Sequence, residues 1–224
     1  MIDDFDMQYL ATILPFFHSL SYTELQQNSF HHSFSKGQIV YHSSSECLGL
    51  IVVLHGTLRS YLLSKEGKEI TLYRLWPGDA CILSASCLLN NINFQLSMDV
   101  VEDAEVLLIP SDFLSQLMDS NQEVLSFTSE LTNDRFSDVM WTIEQILFMR
   151  LDQRIAVFLL DEASKCHSEF IQVTHSELAS YIGSAREAVS RVLKMMQDDE
   201  LLLLSRGGIE ITNRKKLYEL TQID

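Results

Sequence analysis

With 224 residues, 46% apolar and 21% charged, the chain is long enough to bury a real core and has the balance of an ordinary globular protein. Its apolar runs, such as Leu48 to Leu54, are strand-sized, which excludes a bilayer-spanning helix. The acidic start Met1-Ile2-Asp3-Asp4 also lacks the basic segment of an export signal. A formal charge of −15 excludes a nucleic-acid binder that relies on a diffuse positive field.

Residues 1–28 read as short helical pieces, with Ser21 and Glu24 at capping-box spacing. From about Phe30 to Pro110, short β-type runs alternate with turn signals. Leu48 to His55 and Thr57 to Ser64 read as two strands joined at Gly56, and Lys65-Glu66-Gly67-Lys68 as a hairpin turn before the alternating strand Glu69 to Leu75. Trp76-Pro77-Gly78-Asp79 marks a further turn, and Asn93 to Val101 and Ala104 to Ile109 supply two more strands. Strands this short and this evenly spaced predict a small barrel or jelly roll.

Beyond Pro110 the pattern becomes helical. Ser111 is placed to cap a short helix, and a stretch from roughly Asn121 to Met149 contains neither Gly nor Pro. Within it Phe136, Val139, Ile143 and Ile146 recur as a coiled-coil seam, widened by Met140 and Leu147. Such a seam predicts a dimer helix; the competing reading is a helix packed only on its own chain.

The last quarter departs from the acidic body. Residues 1–169 carry 23 acidic and 9 basic side chains, whereas residues 170–224 carry 8 and 7. There Thr174 and Glu177 have capping-box spacing for one helix and Ser184 and Glu187 for a second, with Gly183 at the turn between them. Leu178, Ile182, Val189 and Val192 fall where crossed helices share a core, which is the pattern of a helix-turn-helix. The second helix offers Arg186, Glu187, Ser190 and Arg191 to base edges, since arginine can donate twice to guanine and glutamate can accept from cytosine. A salt bridge between Glu187 and Arg191 is the plainer alternative. Thr174, Ser184, Lys194 and Arg206, the last at the tip of a predicted wing hairpin, are the candidate phosphate contacts.

These segments resemble the cyclic-AMP receptor protein and fumarate–nitrate regulator (Crp/Fnr) superfamily of bacterial transcription factors over nearly the whole chain. The resemblance rests on His55-Gly56-Thr57, the Lys65 to Glu69 turn, Pro77-Gly78-Asp79, Arg154-Ile155-Ala156 and Val173 to Leu204. It implies an α+β protein: a double-stranded β-helix (jelly-roll) sensor domain over 1–120, a dimerisation helix and hinge over 121–149, and a winged helix-turn-helix over 150–224. It further implies a non-enzymatic homodimer in the cytoplasm, bound to double-stranded DNA at an inverted repeat with TGA-like half-sites and working with RNA polymerase rather than with a membrane.

Two departures bear on the signal. The family's cyclic-nucleotide branch pairs an arginine with the phosphate, yet no Lys, Arg or His occurs between Arg74 and Arg135. The iron–sulfur branch uses an N-terminal cysteine cluster, yet residues 1–46 contain no cysteine. The expected effector, a small molecule or a redox signal, is therefore neither a cyclic nucleotide nor a cluster, and the cofactor is unknown. Ser84, Ala85, Ser86 and Cys87 are the candidate pocket residues, against a reading of filled core. Cys81 with Cys87 admits a redox pair, against buried structural thiols. His31, His32, His42 and His55 invite a cupin-like metal enzyme, but the His-x-His pattern is missing and no metal is expected. A ligand-binding module that docks a protein through its helix-turn-helix is the other alternative.

Overall fold

The computed structural model describes residues 4–20, 22–42, 48–65, 67–82 and 96–222. The chain divides into two compact units, Met1–Leu63 with Leu72–Val139, and Ser64–Thr71 with Met140–Asp224. The candidate pocket residues Ser84, Ala85, Ser86 and Cys87 lie outside the described residues, as does the Ser21 end of the predicted capping box.

The first unit opens with helix α1 (Asp4–Ile13), a 3-10 turn (Pro15–Ser19) and α2 (Tyr22–Gln27). An antiparallel sheet follows, built from β1 (Phe30–Phe34), β2 (Ile39–His42), β3 (Gly49–Leu63), β4 (Glu69–Leu75), β5 (Ala80–Cys81) and β6 (Leu96–Pro110). Its order is β1-β6-β3-β4, with β2 also on β6 and β5 also on β3. The fold is a jelly roll, but among the described residues the sheet does not close into a barrel.

Two strand predictions require correction. Leu48–His55 and Thr57–Ser64 are one strand, β3, and the two runs between Asn93 and Ile109 are joined in one strand, β6. Both strands slip register at the same level, with His55 opposite Glu105 and Thr57 opposite Glu102. Gly56, at φ +75°, lets β3 bulge there rather than reverse. A glycine at positive φ serves a turn and a bulge equally well, which is why the sequence reading took it for a joint.

Each long strand buries residues on both faces. Leu50, Val52, Leu54, Leu107 and Ile109 pack under α1 and α3, while Ile51, Val53, Leu58, Met98 and Val106 form a second core. Helices α3 (Ser111–Ser120) and α4 (Gln122–Phe148) follow β6 directly. Pro110, not Ser111, occupies the cap position of α3, and no side chain caps it.

Helix α4 contains no glycine or proline over 27 residues. Along it Phe136 is 66% exposed and Leu147 66%, with Met140 and Ile143 also exposed. Val139 instead packs against the second core of the first unit. The open apolar row is therefore Phe136, Met140, Ile143 and Leu147, at heptad spacings of four, three and four; Val139 points inward and Ile146 is half-buried.

The second unit contains α5 (Leu151–Cys166), β7 (Phe170–Ile171), α6 (His175–Tyr181), α7 (Arg186–Asp198), β8 (Leu202–Ser205), β9 (Gly208–Ile211) and α8 (Arg214–Leu220). Its core joins Ile155, Leu159, Leu178, Val189, Leu193, Met196, Ile209 and Leu217. The strands form a three-stranded antiparallel sheet in the order β7-β9-β8. β7 was not foreseen, because a two-residue strand carries no periodicity. No helix of the described residues is long and apolar enough to cross a membrane.

Candidate nucleic-acid interface

Helix α6 is fixed at its start by a complete capping box. Thr174 Oγ1 accepts from the Glu177 amide at 3.1 Å, and the Thr174 amide donates to Glu177 Oε2 at 2.9 Å. Two amides that the first turn would leave unmet are thereby satisfied. Thr174→Ala is expected to destabilise the domain by about 1 kcal/mol. A shift of the urea midpoint at unchanged slope checks this.

The chain then turns at Gly183, whose φ of +62° is in the left-handed region. The Ser184 amide donates to the Ala179 carbonyl at 2.8 Å, closing the turn. The predicted second capping box does not form. Ala185 occupies the cap of α7 with no side-chain bond, because the helix begins at Arg186 and leaves Ser184 one residue too early. The Ser184 amide is also spent on the turn, so it is not an open donor for an anion.

Helix α7 is strongly two-faced. Val189, Leu193 and Met196 are buried, while Arg186, Glu187, Arg191 and Lys194 are exposed on the other side. Leu178 and Ala179 of α6, and Ile182 just past its end, complete the shared core; Val192, expected there as well, is only half-buried. The exposed side is a firm surface, since the burial behind it fixes the rotation of the helix.

Two couplings escaped the sequence reading. The Ser190 hydroxyl meets His175 Nδ1 at 2.8 Å, tying the start of α6 to the middle of α7. Gln197 Oε1 accepts from the Leu204 amide at 2.8 Å, tying α7 to the β8–β9 hairpin. Neither follows from spacing, because each joins two elements whose crossing the sequence does not encode. Ser190, read as a base contact, thus already has a partner, although a hydroxyl keeps further bonding capacity.

The β8–β9 hairpin closes with Ser205 opposite Gly208 and exposes Arg206 at its tip. Farther along, Arg214 pairs with Glu169 at 2.8 Å and donates to Ser164 at 2.8 Å, anchoring α8 to the end of α5. The exposed Lys215 and Lys216 on α8 add charge that the sequence reading did not assign.

The four histidines considered as metal ligands are spread over three strands, His31 and His32 on β1, His42 on β2 and His55 on β3. His31 faces Glu105 across β1 and β6 at 3.6 Å, and His32 lies beside the Phe34 ring. Among the described residues no three His, Cys, Asp or Glu side chains gather to hold a metal ion.

Comparison with known proteins matches each half of the chain to a domain family. Residues 31–121 match the cyclic nucleotide-binding domain, and residues 153–220 match the Crp-like helix-turn-helix domain. A transcriptional regulator of the crp/fnr family from Eubacterium rectale, solved by crystallography, shares 38% identity. The match covers 94% of this chain and 99% of that one, with a TM-score of 0.87. The cyclic AMP receptor protein of Thermus thermophilus is 27% identical over 92% of this chain and 96% of its own. An anaerobic regulatory protein of Aggregatibacter actinomycetemcomitans is 26% identical over 83% of this chain and 74% of its own.

Proposed function

Because this chain belongs to the Crp/Fnr family of DNA-binding transcription regulators, and is not an enzyme, we propose that it works as a homodimer on an inverted repeat with TGA-like half-sites. The α7 surface carries this reading. Arg186, Glu187, Arg191 and Lys194 share one exposed side, backed by a core that holds it rigid. Arg186, Glu187 and Arg191 read bases, and Ser190 assists from its bond to His175. Lys194, Arg206 and the Thr174 hydroxyl hold phosphates; Ser184 contributes through its side chain rather than its amide.

The dimer forms through α4, along the open row Phe136, Met140, Ile143 and Leu147, flanked by the half-buried Ile146, while Val139 supports the helix from its own chain's core. In function the chain divides into a sensor over 1–120, a dimer helix and hinge over 121–149, and a reading head over 150–224. The sensor responds to a signal other than a cyclic nucleotide, and the bound dimer acts on RNA polymerase in the cytoplasm. A rigid-body change between two orientations of the reading heads would transmit the signal.

Selection from a random DNA library with the purified protein at near-physiological salt tests the reading. The expected product is an inverted repeat with half-sites about one helical turn apart. No enrichment, with or without added effector, would defeat it. On the selected site Arg191→Ala should cost about 1–3 kcal/mol and blur one base pair. An equal loss on random DNA would make Arg191 a phosphate contact instead.

A further inference from the structure

The turn between α6 and α7 brings a residue of the first helix against the exposed surface of the second. His175, the first residue of α6, places its Nδ1 2.8 Å from the hydroxyl oxygen of Ser190 in the middle of α7. Both side chains are half-buried, and among the described residues the Ser190 hydroxyl has no second partner.

Other serines in the helices spend their protons differently. Ser120, Ser129, Ser137 and Ser164 each donate to the carbonyl four residues back, at 2.7, 2.8, 3.0 and 2.8 Å. For Ser190 that acceptor is the Arg186 carbonyl, and its hydroxyl does not make the bond. A hydroxyl can donate to such a carbonyl and accept from a protonated Nδ1 at the same time. Ser190 forgoes the carbonyl, so its proton goes to the imidazole. Nδ1 is then the acceptor, and the ring proton sits on Nε2.

We propose that His175 is a specificity-determining positioning residue: by taking the Ser190 proton it leaves the serine oxygen only lone pairs, and Ser190 then accepts from the amino group of an adenine or cytosine. The inference rests on the reading of α7 as the base-reading surface, and deepens it. A serine free to rotate is donor or acceptor as needed and accommodates any base edge. A serine whose proton is committed discriminates. Thymine O4 and guanine O6 and N7 are themselves acceptors, and would set lone pair against lone pair. Because the imidazole stands on the other helix, the bond also fixes the serine rotamer, and Leu178, Val189 and Leu193 in the core behind hold the two helices together. His175 needs no contact with a base; it acts through Ser190.

Two measurements on the full chain test the proposal. Without DNA, nitrogen-15 NMR at about pH 8, above the ordinary histidine range, should show His175 Nδ1 bare and Nε2 protonated. On the repeat recovered by site selection, Ser190→Ala should weaken binding about three- to tenfold, with the loss confined to one base pair per half-site. His175→Ala should lose a similar factor at that same pair, and the double variant no more than either alone. His175→Asn, whose amide oxygen can accept in place of Nδ1, should recover most of the selectivity. Replacing the adenine or cytosine of that pair by its des-amino analogue should weaken the unaltered chain by the same factor and leave Ser190→Ala unaffected. Urea midpoints show whether the variants are folded; if His175→Ala is not, the NMR spectrum and the des-amino comparison decide. A protonated Nδ1, losses that multiply in the double variant, a loss spread evenly over specific and random DNA, no recovery in folded His175→Asn, or a Ser190→Ala chain as sensitive to the analogue would each overturn the proposal and leave the site reading standing. Failure to select any repeat would remove the site reading, and the proposal with it.

Discussion

Ile143→Glu is expected to convert the dimer into monomers and to lower affinity for the full inverted repeat by about 10²–10⁴-fold, the range that linking two binding modules contributes. Ile143 is exposed on the single chain, in the middle of the row Phe136, Met140, Ile143, Leu147. On the proposed dimer, these four large apolar side chains, open to water at heptad spacing on the single chain, would be covered by a second copy of the same helix. In a twofold interface the introduced carboxylate meets its own symmetry mate or a close neighbour, so both desolvation and like-charge repulsion oppose association. The same charge on a lone helix would face solvent at little cost. Sedimentation would show the mass, and binding to one isolated half-site should survive nearly unchanged. A variant that still sediments as a dimer would place the dimer contact elsewhere.

Helix α4 shows what periodicity makes legible. Its predicted span, Asn121 to Met149, differs from the observed Gln122–Phe148 by one residue at each end, because the absence of Gly and Pro and a steady apolar repeat leave no alternative. The rotation of that helix was less legible. Sequence spacing makes Val139 as good a seam residue as Met140, and only packing against the first unit's core turns Val139 inward. Similarly, Thr174 and Glu177 form their box as spaced, whereas Ser184 and Glu187 do not, because the turn draws the Ser184 amide back to Ala179. The bond between His175 and Ser190 and the seat of Arg135 over Tyr73 join elements through the tertiary fold, and no local rule reports them.

The bend shared by β3 and β6 supports a second large effect. Gly56→Ala should destabilise the first unit by several kcal/mol, far more than Gly37→Ala, although the two glycines have similar backbones at φ +75° and +83°. Left-handed geometry alone costs a residue with a Cβ roughly 1–2 kcal/mol, and Gly37→Ala should show little beyond that, since nothing lies within 4 Å of the added carbon. At Gly56 the same carbon would stand 2.1 Å from the Asp103 carbonyl oxygen and 2.7 Å from the Ala104 Cα. Both obstacles are backbone of the partner strand, so relief requires β3 and β6 to separate where their register shifts. Overpacking of this kind adds about 1–3 kcal/mol or more. Urea unfolding of the two variants separates the contributions. Equal midpoints would mean that the bend relaxes freely, and that the close approach of the two strands at Gly56 does not hold the jelly roll together.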